Sequence, residues 1–217
     1  GKLVEGYGLS EATPVTHCNP IYGKRKEGSW IGLPVPDTEA AIMDMESDEI
    51  LEPGEIGELC IRGPQVMKGY LNRPEDTGEA LREGWLYTGD IARRDDDGYI
   101  YIVDRKKDMI SVGGEKVWPS EVEQVLLQHP AIVEAAVFGI PESVLGEQVR
   151  GTVVLHEGHS ATQEELIGFC QTLLAPYKIP AVIQSVNALP TGKMGKVQKQ
   201  KLREKAISDA ARAGTAL

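Results

Sequence analysis

The chain of 217 residues is poor in cysteine and aromatic residues and has no long apolar run. Its three cysteines, Cys18, Cys60 and Cys170, are odd in number and widely spaced. This argues against a disulfide framework and for a reducing compartment. No segment approaches the ~18 consecutive apolar residues of a membrane-spanning helix, and the first residues do not have the pattern of a secretory signal. We therefore expect a cytoplasmic protein without a transmembrane segment.

The chain also lacks an excess of positive charge. It has 23 Lys and Arg against 33 Asp and Glu, a net charge of −10, which argues against nucleic-acid binding. Residues 1–104 carry 10 cationic and 21 anionic side chains, whereas residues 105–217 carry 13 and 12. The less acidic second half suits contact with an anionic substrate. Solubility alone is the alternative explanation.

Residues 1–104 have the pattern of a β-rich domain. Short apolar segments at 39–44 and 56–62 are bounded by Pro or Gly, as expected for strands. Residues 74–83 predict a short helix that ends at Gly84. The run of aspartates at 95–97 followed by Gly98 predicts a hairpin turn leading into a strand at 99–103.

Residues 105–217 alternate between helical and extended patterns. Ser120 with Glu123, and Thr162 with Glu165, have the spacing of capping boxes at the start of helices. Strands are predicted at 132–138, 149–155 and 181–186, and a basic helix at about 197–211. We place the boundary at 104–107. The predicted fold class is α+β, with a β-rich subdomain over 1–104 and a small α/β domain over 105–217.

The most informative motifs are LYTGD at residues 86–90 and VDRKKD at 103–108. Gly89 allows a sharp turn and predicts that the Asp90 carboxylate is exposed at a strand end. Such a carboxylate can accept hydrogen bonds from two vicinal hydroxyls, as on a ribose. Arg105 can contact the same nucleotide with its planar donors. A hairpin with surface ion pairs is the alternative for either motif alone.

Further motifs follow one another along the chain: YGLSE at 7–11, GELCIRG at 57–63, VGGEK at 112–116, PSEVE at 119–123, and LP at 189–190 before GKV at 195–197. In this order and spacing, all of them together resemble the AMP-forming acyl-CoA synthetases of the adenylate-forming superfamily. The resemblance extends to about residue 205. It implies that residues 1–104 end the large AMP-binding domain and that residues 105–217 form its small mobile lid domain.

The resemblance implies roles for the first motif. Tyr7 stacks on adenine, and Gly8 presents its backbone to the substrate. Ser10 contacts the α-phosphate of ATP, at a position where the family usually has Thr. Glu11 ligates Mg²⁺, which prefers hard oxygen ligands. The alternative is a capped turn, because Gly, Ser and Glu are common in loops.

The resemblance also implies roles near the domain boundary. Asp90 binds the ribose hydroxyls and Arg105 adds a second contact. Lys107 occupies the hinge position about which the small domain turns between two states. Gly113 and Gly114 line the tunnel for the pantetheine arm of coenzyme A, with a plain turn as the alternative.

Two lysines near the carboxy terminus compete for one role. The family uses a lysine to bridge the acid carboxylate and the α-phosphate, and both Lys193 and Lys196 follow a glycine. In the family four residues separate Leu-Pro from Gly-Lys, and residues 191–194 fill that gap. The register therefore selects Lys196. Lys106, beside the hinge position, is interpreted as a solvated charge on a linker.

By resemblance, the function is that of an acid–CoA ligase. It forms an acyl-adenylate and pyrophosphate from ATP and a carboxylic acid, and then acyl-CoA and AMP. Three stretches, at 32–36, 63–70 and 103–110, are most similar to fatty-acyl-CoA ligases, while the tail at 194–199 is also similar to malonyl-type ligases. The Ser/Thr/Gly-rich phosphate loop of the family is missing, so we expect the carboxy-terminal part of a longer ligase, inactive without the rest of the large domain. Loading of a carrier protein and a non-catalytic nucleotide-binding module are the alternatives.

Overall fold

The computed structural model describes residues 3–26, 28–193 and 195–212. The chain divides into two compact units between Lys107 and Asp108. This division lies at the end of the stretch 104–107, where the change in composition predicts the boundary. The assignment of each unit to a domain of a larger enzyme stays a prediction.

The described residues of the first unit, which spans 1–107, form one antiparallel sheet and one short α-helix, α1 (Pro74–Ala80). The strands follow the order β1-β2-β3-β8-β7-β5-β4 across the sheet, and β6 pairs with β7. Their bounds are β1 Gly6–Gly8, β2 Val15–Cys18, β3 Trp30–Pro34, β4 Glu39–Met43, β5 Ile56–Arg62, β6 Leu81–Arg82, β7 Trp85–Arg94 and β8 Ile100–Arg105.

The strands predicted at 39–44, 56–62 and 99–103 are confirmed as β4, β5 and β8. The predicted hairpin turn at 95–98 is confirmed as well, since the Asp95 amide donates to the Tyr99 carbonyl and the Asp95 carbonyl accepts from the Gly98 amide. The core of the sheet is built from apolar side chains of neighbouring strands. One buried cluster consists of Ile42, Leu59, Ile61, Ala92 and Ile100, and a second consists of Ala41, Met43 and Cys60.

The helix predicted over 74–83 is too long. α1 ends at Ala80, and the next two residues pair with the start of β7 as β6. The reason is the turn that follows, in which Glu83 and Gly84 both have positive φ, 48° and 81°. Two such residues form the tight turn of a hairpin, which draws residues 81–82 into the sheet.

The second unit, residues 108–217, has a mixed sheet covered by helices. The order is β10-β9-β12-β11, and β13 pairs with β12 in parallel. The bounds are β9 Ile110–Val112, β10 Glu115–Val117, β11 Ile132–Glu142, β12 Gly146–Leu155, β13 Val182–Ser185, α2 Pro119–Leu126, α3 Gln163–Gln171 and α4 Lys199–Arg212.

Apolar side chains cover both faces of this sheet. Val122 and Leu126 of α2 and Leu166 of α3 pack in one core with strand residues such as Val137 and Val153. In the other core, Leu202 of α4 packs with Phe138 and Ile140 of β11. Because successive strand residues point to opposite faces, β11 contributes to both cores.

The two predicted capping boxes have different outcomes. Thr162 caps α3, accepting a hydrogen bond from the Glu165 amide, while the Glu165 side chain returns to the Thr162 amide, as predicted. The prediction for Ser120 is wrong. Pro119 already occupies the first turn of α2, so the N-cap position belongs to Trp118, which makes no side-chain cap among the described residues.

The structure thus has the mixed, sheet-rich α+β class that the sequence predicts. Within the described residues, no helix combines the length and the apolar character needed to cross a membrane.

Candidate functional site

Asp90 lies on a bulge in the middle of β7. The sequence predicts an exposed carboxylate at a strand end, and this is wrong, because β7 continues from Trp85 to Arg94. Residues 88–90 lie opposite the single residue Leu59 of β5, so the extra residues are accommodated without ending the strand. Gly89 allows this with a φ of 72°, in the left-handed region.

Side chains satisfy the backbone of the bulge. The Thr88 hydroxyl donates a hydrogen bond to the Leu59 carbonyl, 2.8 Å, and accepts one from the Asp90 amide, 3.1 Å. The Gly89 amide donates to Oε1 of Glu58 at 3.0 Å. Since unpaired backbone groups in a part-buried position are costly, these three bonds explain why the bulge is tolerated inside the sheet.

The Asp90 carboxylate is held from two sides. The Tyr7 hydroxyl donates a hydrogen bond to Oδ2 at 2.5 Å. Nε of Arg105, which pairs directly with Asp90 across β7 and β8, lies 3.3 Å from Oδ1. Burial, and then the charge of Asp90, raise the pKa of Tyr7 far above its ordinary value. Tyr7 therefore remains a donor.

This carboxylate lies at a cavity of about 350 Å³ lined by residues 88–90 and 105–107. The Asp90 side chain is only 13% exposed, whereas that of Arg105 is 54% exposed. Asp90 thus presents a fixed acceptor at the cavity, and Arg105, paired with it, is the more exposed of the two and has planar donors suited to an anionic ligand.

Sequence reasoning missed Glu58 and misjudged Lys106. Glu58 is buried, and its Oε2 accepts a hydrogen bond of 2.7 Å from Nζ of Lys106. Lys106 is therefore paired with a buried carboxylate, and its interpretation as a solvated linker charge is wrong. The available signal was a glutamate on the apolar strand β5, two residues before Cys60, on the same face of the sheet.

Glu11 lies in a separate loop of the same unit. It belongs to a 3-10 turn over Ser10–Ala12, and its Oε1 accepts a hydrogen bond of 2.8 Å from the Tyr70 hydroxyl. That bond is the main cause that raises the pKa of Tyr70. Ser10 is exposed. The predicted contacts of both residues with phosphate and metal remain predictions.

Gly8 has a structural reason to be glycine. A Cβ atom at this position would lie 1.6 Å from the carbonyl oxygen of Pro14. The close backbone approach in the β1–β2 hairpin therefore excludes any side chain here, independently of a substrate.

The described residues contain no group of three or more His, Cys, Asp or Glu side chains that could hold a metal ion. Mg²⁺ commonly binds through one or two carboxylates together with substrate phosphates and water. Glu11, a half-buried carboxylate fixed by Tyr70, fits a single-ligand role of that kind.

In the second unit, Gly113 and Gly114 form the two-residue turn between β9 and β10. Both have positive φ, 60° and 89°, as the tight turn of a hairpin requires. The Gly113 amide donates to the Leu145 carbonyl at 2.8 Å. The turn accounts for both glycines, and their role beside pantetheine stays a prediction.

Lys193 and Lys196 lie in one exposed turn. An isolated bridge joins Thr191 to Val197, and the Gly192 amide donates to the Lys196 carbonyl at 2.8 Å. Met194, between the two lysines, lies outside the described residues. The preference for Lys196 stays a prediction.

The structure therefore brings together Tyr7, Asp90 and Arg105, with Glu11 elsewhere in the same unit. Lys107, the predicted hinge, is exposed and is the last residue of the first unit. The remaining predicted residues, Gly113, Gly114 and Lys196, belong to the second unit.

Two family models match the chain. Residues 1–71 match the model described as AMP-binding enzyme. Residues 121–196 match the model described as AMP-binding enzyme C-terminal domain.

Curated relatives agree with these models. A long-chain-fatty-acid–CoA ligase of Bacillus subtilis (strain 168) is 52% identical over 204 residues, and one of Escherichia coli O157:H7 is 47% identical over 204 residues. Each comparison covers 94% of this chain and 36% of the relative. The chain thus spans little more than a third of the length of these relatives.

Solved structures with the same fold include ATP-bound MatB from Rhodopseudomonas palustris, with a TM-score of 0.89 and 35% identity, covering 94% of this chain and 41% of that one. Another is the o-succinylbenzoate CoA synthetase MenE from Bacillus subtilis in complex with its acyl-adenylate intermediate. It has a TM-score of 0.78 and 33% identity, covering 92% of this chain and 40% of that one.

Proposed function

Because the chain belongs to the AMP-binding enzyme family, we propose that it is the carboxy-terminal portion of an ATP-dependent acid–CoA ligase. The whole ligase joins a medium- or long-chain fatty acid to coenzyme A, with an acyl-adenylate as intermediate. The observation that carries this proposal is the Asp90 carboxylate, fixed by Tyr7 and Arg105 at a cavity. That arrangement suits two adjacent ribose hydroxyls, each of which donates one hydrogen bond to a carboxylate oxygen.

In the first half-reaction, the acid carboxylate attacks the α-phosphorus of ATP and pyrophosphate leaves. Two anions meet in this step, so positive charge must be supplied. Lys196 bridges the carboxylate and the α-phosphate, Ser10 donates to the same phosphate, and Tyr7 stacks on adenine. Glu11 would hold Mg²⁺, which supplies further neutralisation of the phosphate charge.

In the second half-reaction, the thiol of coenzyme A attacks the acyl carbonyl carbon and forms the thioester. The bond between that carbon and the phosphate oxygen breaks, and AMP leaves. Asp90 and Arg105 hold the AMP moiety through both steps. Gly113 and Gly114 line the pantetheine path, and Lys107 is the hinge between the two states. In this proposal residues 1–104 complete the large domain and residues 105–217 form the lid.

The substrate class rests on the relatives named long-chain-fatty-acid–CoA ligases. A dicarboxylate is the second candidate, because the tail at 194–199 is similar to that of malonyl-type ligases. The three cysteines of the chain are all free, which is consistent with a reducing, cytoplasmic location.

The test uses the longer parent protein with ATP, Mg²⁺ and coenzyme A. AMP release is followed with palmitate, octanoate, malonate and an aryl acid. We expect a clear preference for a fatty acid. A preference for malonate would move the assignment to the second candidate. Absence of AMP release with every acid, despite nucleotide binding, would contradict the ligase proposal and favour a carrier-loading enzyme or a binding module.

Lysine variants of the same protein test the chemistry. Lys196→Ala should slow adenylate formation by about a hundredfold or more, the scale for loss of one charge-stabilising group. It should retain thioester formation from preformed acyl-adenylate. Lys205→Ala, an exposed lysine of α4, is the control. If Lys193→Ala shows the loss instead, the register argument is wrong.

A further inference from the structure

Glu58 connects two segments of the first unit that are far apart in sequence. Its Oε1 accepts the Gly89 amide at 3.0 Å, and its Oε2 accepts Nζ of Lys106 at 2.7 Å. The Glu58 side chain is 5% exposed, whereas that of Lys106 is 41% exposed. A single buried carboxylate thus uses both oxygens to join β7 to the end of β8.

Both partners are adjacent in sequence to the nucleotide-contact residues of the proposed function. Gly89 precedes Asp90 on the bulge, and Lys106 follows Arg105 and precedes Lys107. Among the described hydrogen bonds, none joins Glu58 to Asp90. The Asp90 carboxylate is held by Tyr7 and Arg105. Any effect of Glu58 on the site therefore passes through the backbone of the bulge and through Lys106, which lines the cavity at Asp90.

The Glu58–Lys106 pair is well suited to hold that backbone in place. A buried carboxylate needs a charged partner, because removal of one partner leaves the other charge desolvated and uncompensated. Charge-assisted hydrogen bonds are also about twice as strong as neutral ones. Lys106 and the bulge at 88–90 are thereby held at one distance from each other.

We infer that Glu58 is a positioning residue which, through Lys106 and the Gly89 amide, sets the spacing of Asp90 and Arg105 and so the affinity for the nucleotide. This inference rests on the proposed function and adds to it a determinant outside the family motifs that contact the ligand. Its effect is specific to nucleotide, since the acid and coenzyme A do not contact Asp90 in that scheme.

The experiment uses the active parent protein and the variants Glu58→Gln and Lys106→Met. Gln keeps the size of the side chain and an acceptor for the Gly89 amide, but it has no charge for Lys106. Met keeps the aliphatic stem of Lys106 without its ammonium group. The matched controls are Glu79→Gln, an exposed carboxylate that lines the cavity of about 700 Å³ beside Glu58, and Lys205→Met.

We expect each variant to raise the KM for ATP and the Kd for AMP about tenfold, because displacement of Asp90 or Arg105 weakens the charge-assisted hydrogen bonds that these residues make to the nucleotide in the proposed function. The KM values for the acid and coenzyme A should stay within twofold of the wild type. The double variant should bind nucleotide no more weakly than either single variant, because both substitutions remove the same Glu58–Lys106 interaction. Lys106→Arg, which restores the cation, should recover most of the affinity.

A role limited to stability would give a different pattern. It would lower the melting temperature and the amount of active enzyme, and leave the KM for ATP and the Kd for AMP within twofold of the wild type. That pattern in both Glu58→Gln and Lys106→Met overturns the inference. If Glu58→Gln does not fold, Lys106→Met, at the more exposed partner, decides alone.

Failure of the inference and failure of the proposed function are distinct. An inactive wild-type parent protein contradicts the ligase proposal before any variant is measured. An active wild type with unchanged nucleotide affinity in both variants contradicts only the role of Glu58.

Discussion

The hydroxyl group of Tyr7 donates a 2.5 Å hydrogen bond to Oδ2 of Asp90, which lies 83 residues away along the chain. Burial and the charge of Asp90 raise the pKa of Tyr7, so the phenol keeps its proton and always acts as the donor. With Arg105 at the other oxygen, the carboxylate is already oriented for the nucleotide of the proposed function. Pre-orientation of this kind lowers the entropic cost of binding.

Tyr7→Phe should therefore weaken nucleotide binding. The variant keeps the ring but removes one charge-assisted hydrogen bond to Asp90, so we expect the Kd for AMP to rise about tenfold. Isothermal titration calorimetry of the parent protein measures it. Tyr101→Phe, which keeps its ring against Trp30 in the same unit, is the control. Equal affinity in wild type and Tyr7→Phe would show that Arg105 alone orients the carboxylate.

Substitution of two glycines should have opposite effects on the first unit. An added Cβ meets no atom within 4 Å at Gly89 or at Gly78, but Gly89 has a φ of 72° while Gly78 lies in α1. Gly89→Ala should lower the free energy of unfolding by about 1 kcal/mol or more. Gly78→Ala should raise it by up to about 1 kcal/mol. The two variants are compared by urea unfolding, monitored through hydrogen exchange of peptides from the first unit. A Gly89→Ala variant more stable than the wild type would contradict the argument from the positive φ of Gly89.

Acid should destabilise the first unit through His17. Burial lowers the pKa of His17 to about 4, whereas an unfolded histidine titrates near 6.5. As the pH falls from about 6.5 to about 4, the unfolded chain takes up a proton that the folded unit excludes, so about 3 kcal/mol of stability is lost. Above about pH 6.5 His17 is neutral in both states, so its titration no longer changes the free energy of unfolding.

The measurement for His17 is the unfolding free energy of the first unit at pH 7 and pH 4.5. His17→Leu should have a smaller difference between the two values than the wild type. His156→Gln, at an exposed histidine, should behave as the wild type does. A wild-type slope retained in His17→Leu would assign the acid sensitivity to other groups.

Loss of the α3 cap should weaken the second unit. Thr162 accepts the Glu165 amide and shares a reciprocal bond with that residue, so Thr162→Ala should cost about 1 kcal/mol of stability. Thr162→Ser keeps the hydroxyl and should cost much less. Thermal unfolding with hydrogen exchange of α3 peptides measures both. Equal stability of the Ala and Ser variants would argue that the cap contributes nothing.

Sequence reasoning succeeded where residues close in sequence are also close in space. The Thr162 cap and the turn after Asp95 depend on contacts three or four residues apart, and both were predicted correctly. The same spacing at Ser120 was misleading, because α2 already begins at Pro119, with its N-cap at Trp118, two residues before the predicted cap. Local patterns thus identify elements more reliably than they identify the residue at an element's end.

The site was predictable only in part, for a physical reason. Asp90 and Arg105 were correctly grouped, since a hairpin joins their strands. The Glu58–Lys106 pair spans 48 residues and depends on the order of strands in the sheet, which no local spacing contains. The bulge at Gly89 was mistaken for a strand end because the hydrogen bonds that allow the strand to continue come from Thr88 and Glu58.

The 1.6 Å approach between a Cβ at position 8 and the Pro14 carbonyl affects how genetic data on this loop are interpreted. In a saturation screen scored by growth, every replacement of Gly8 is expected to fail by forcing the β1–β2 hairpin apart. Intolerance at this codon therefore measures the spacing of two backbone segments. At codon 10 the serine is exposed, so intolerance there would instead support the proposed contact of Ser10 with the ligand.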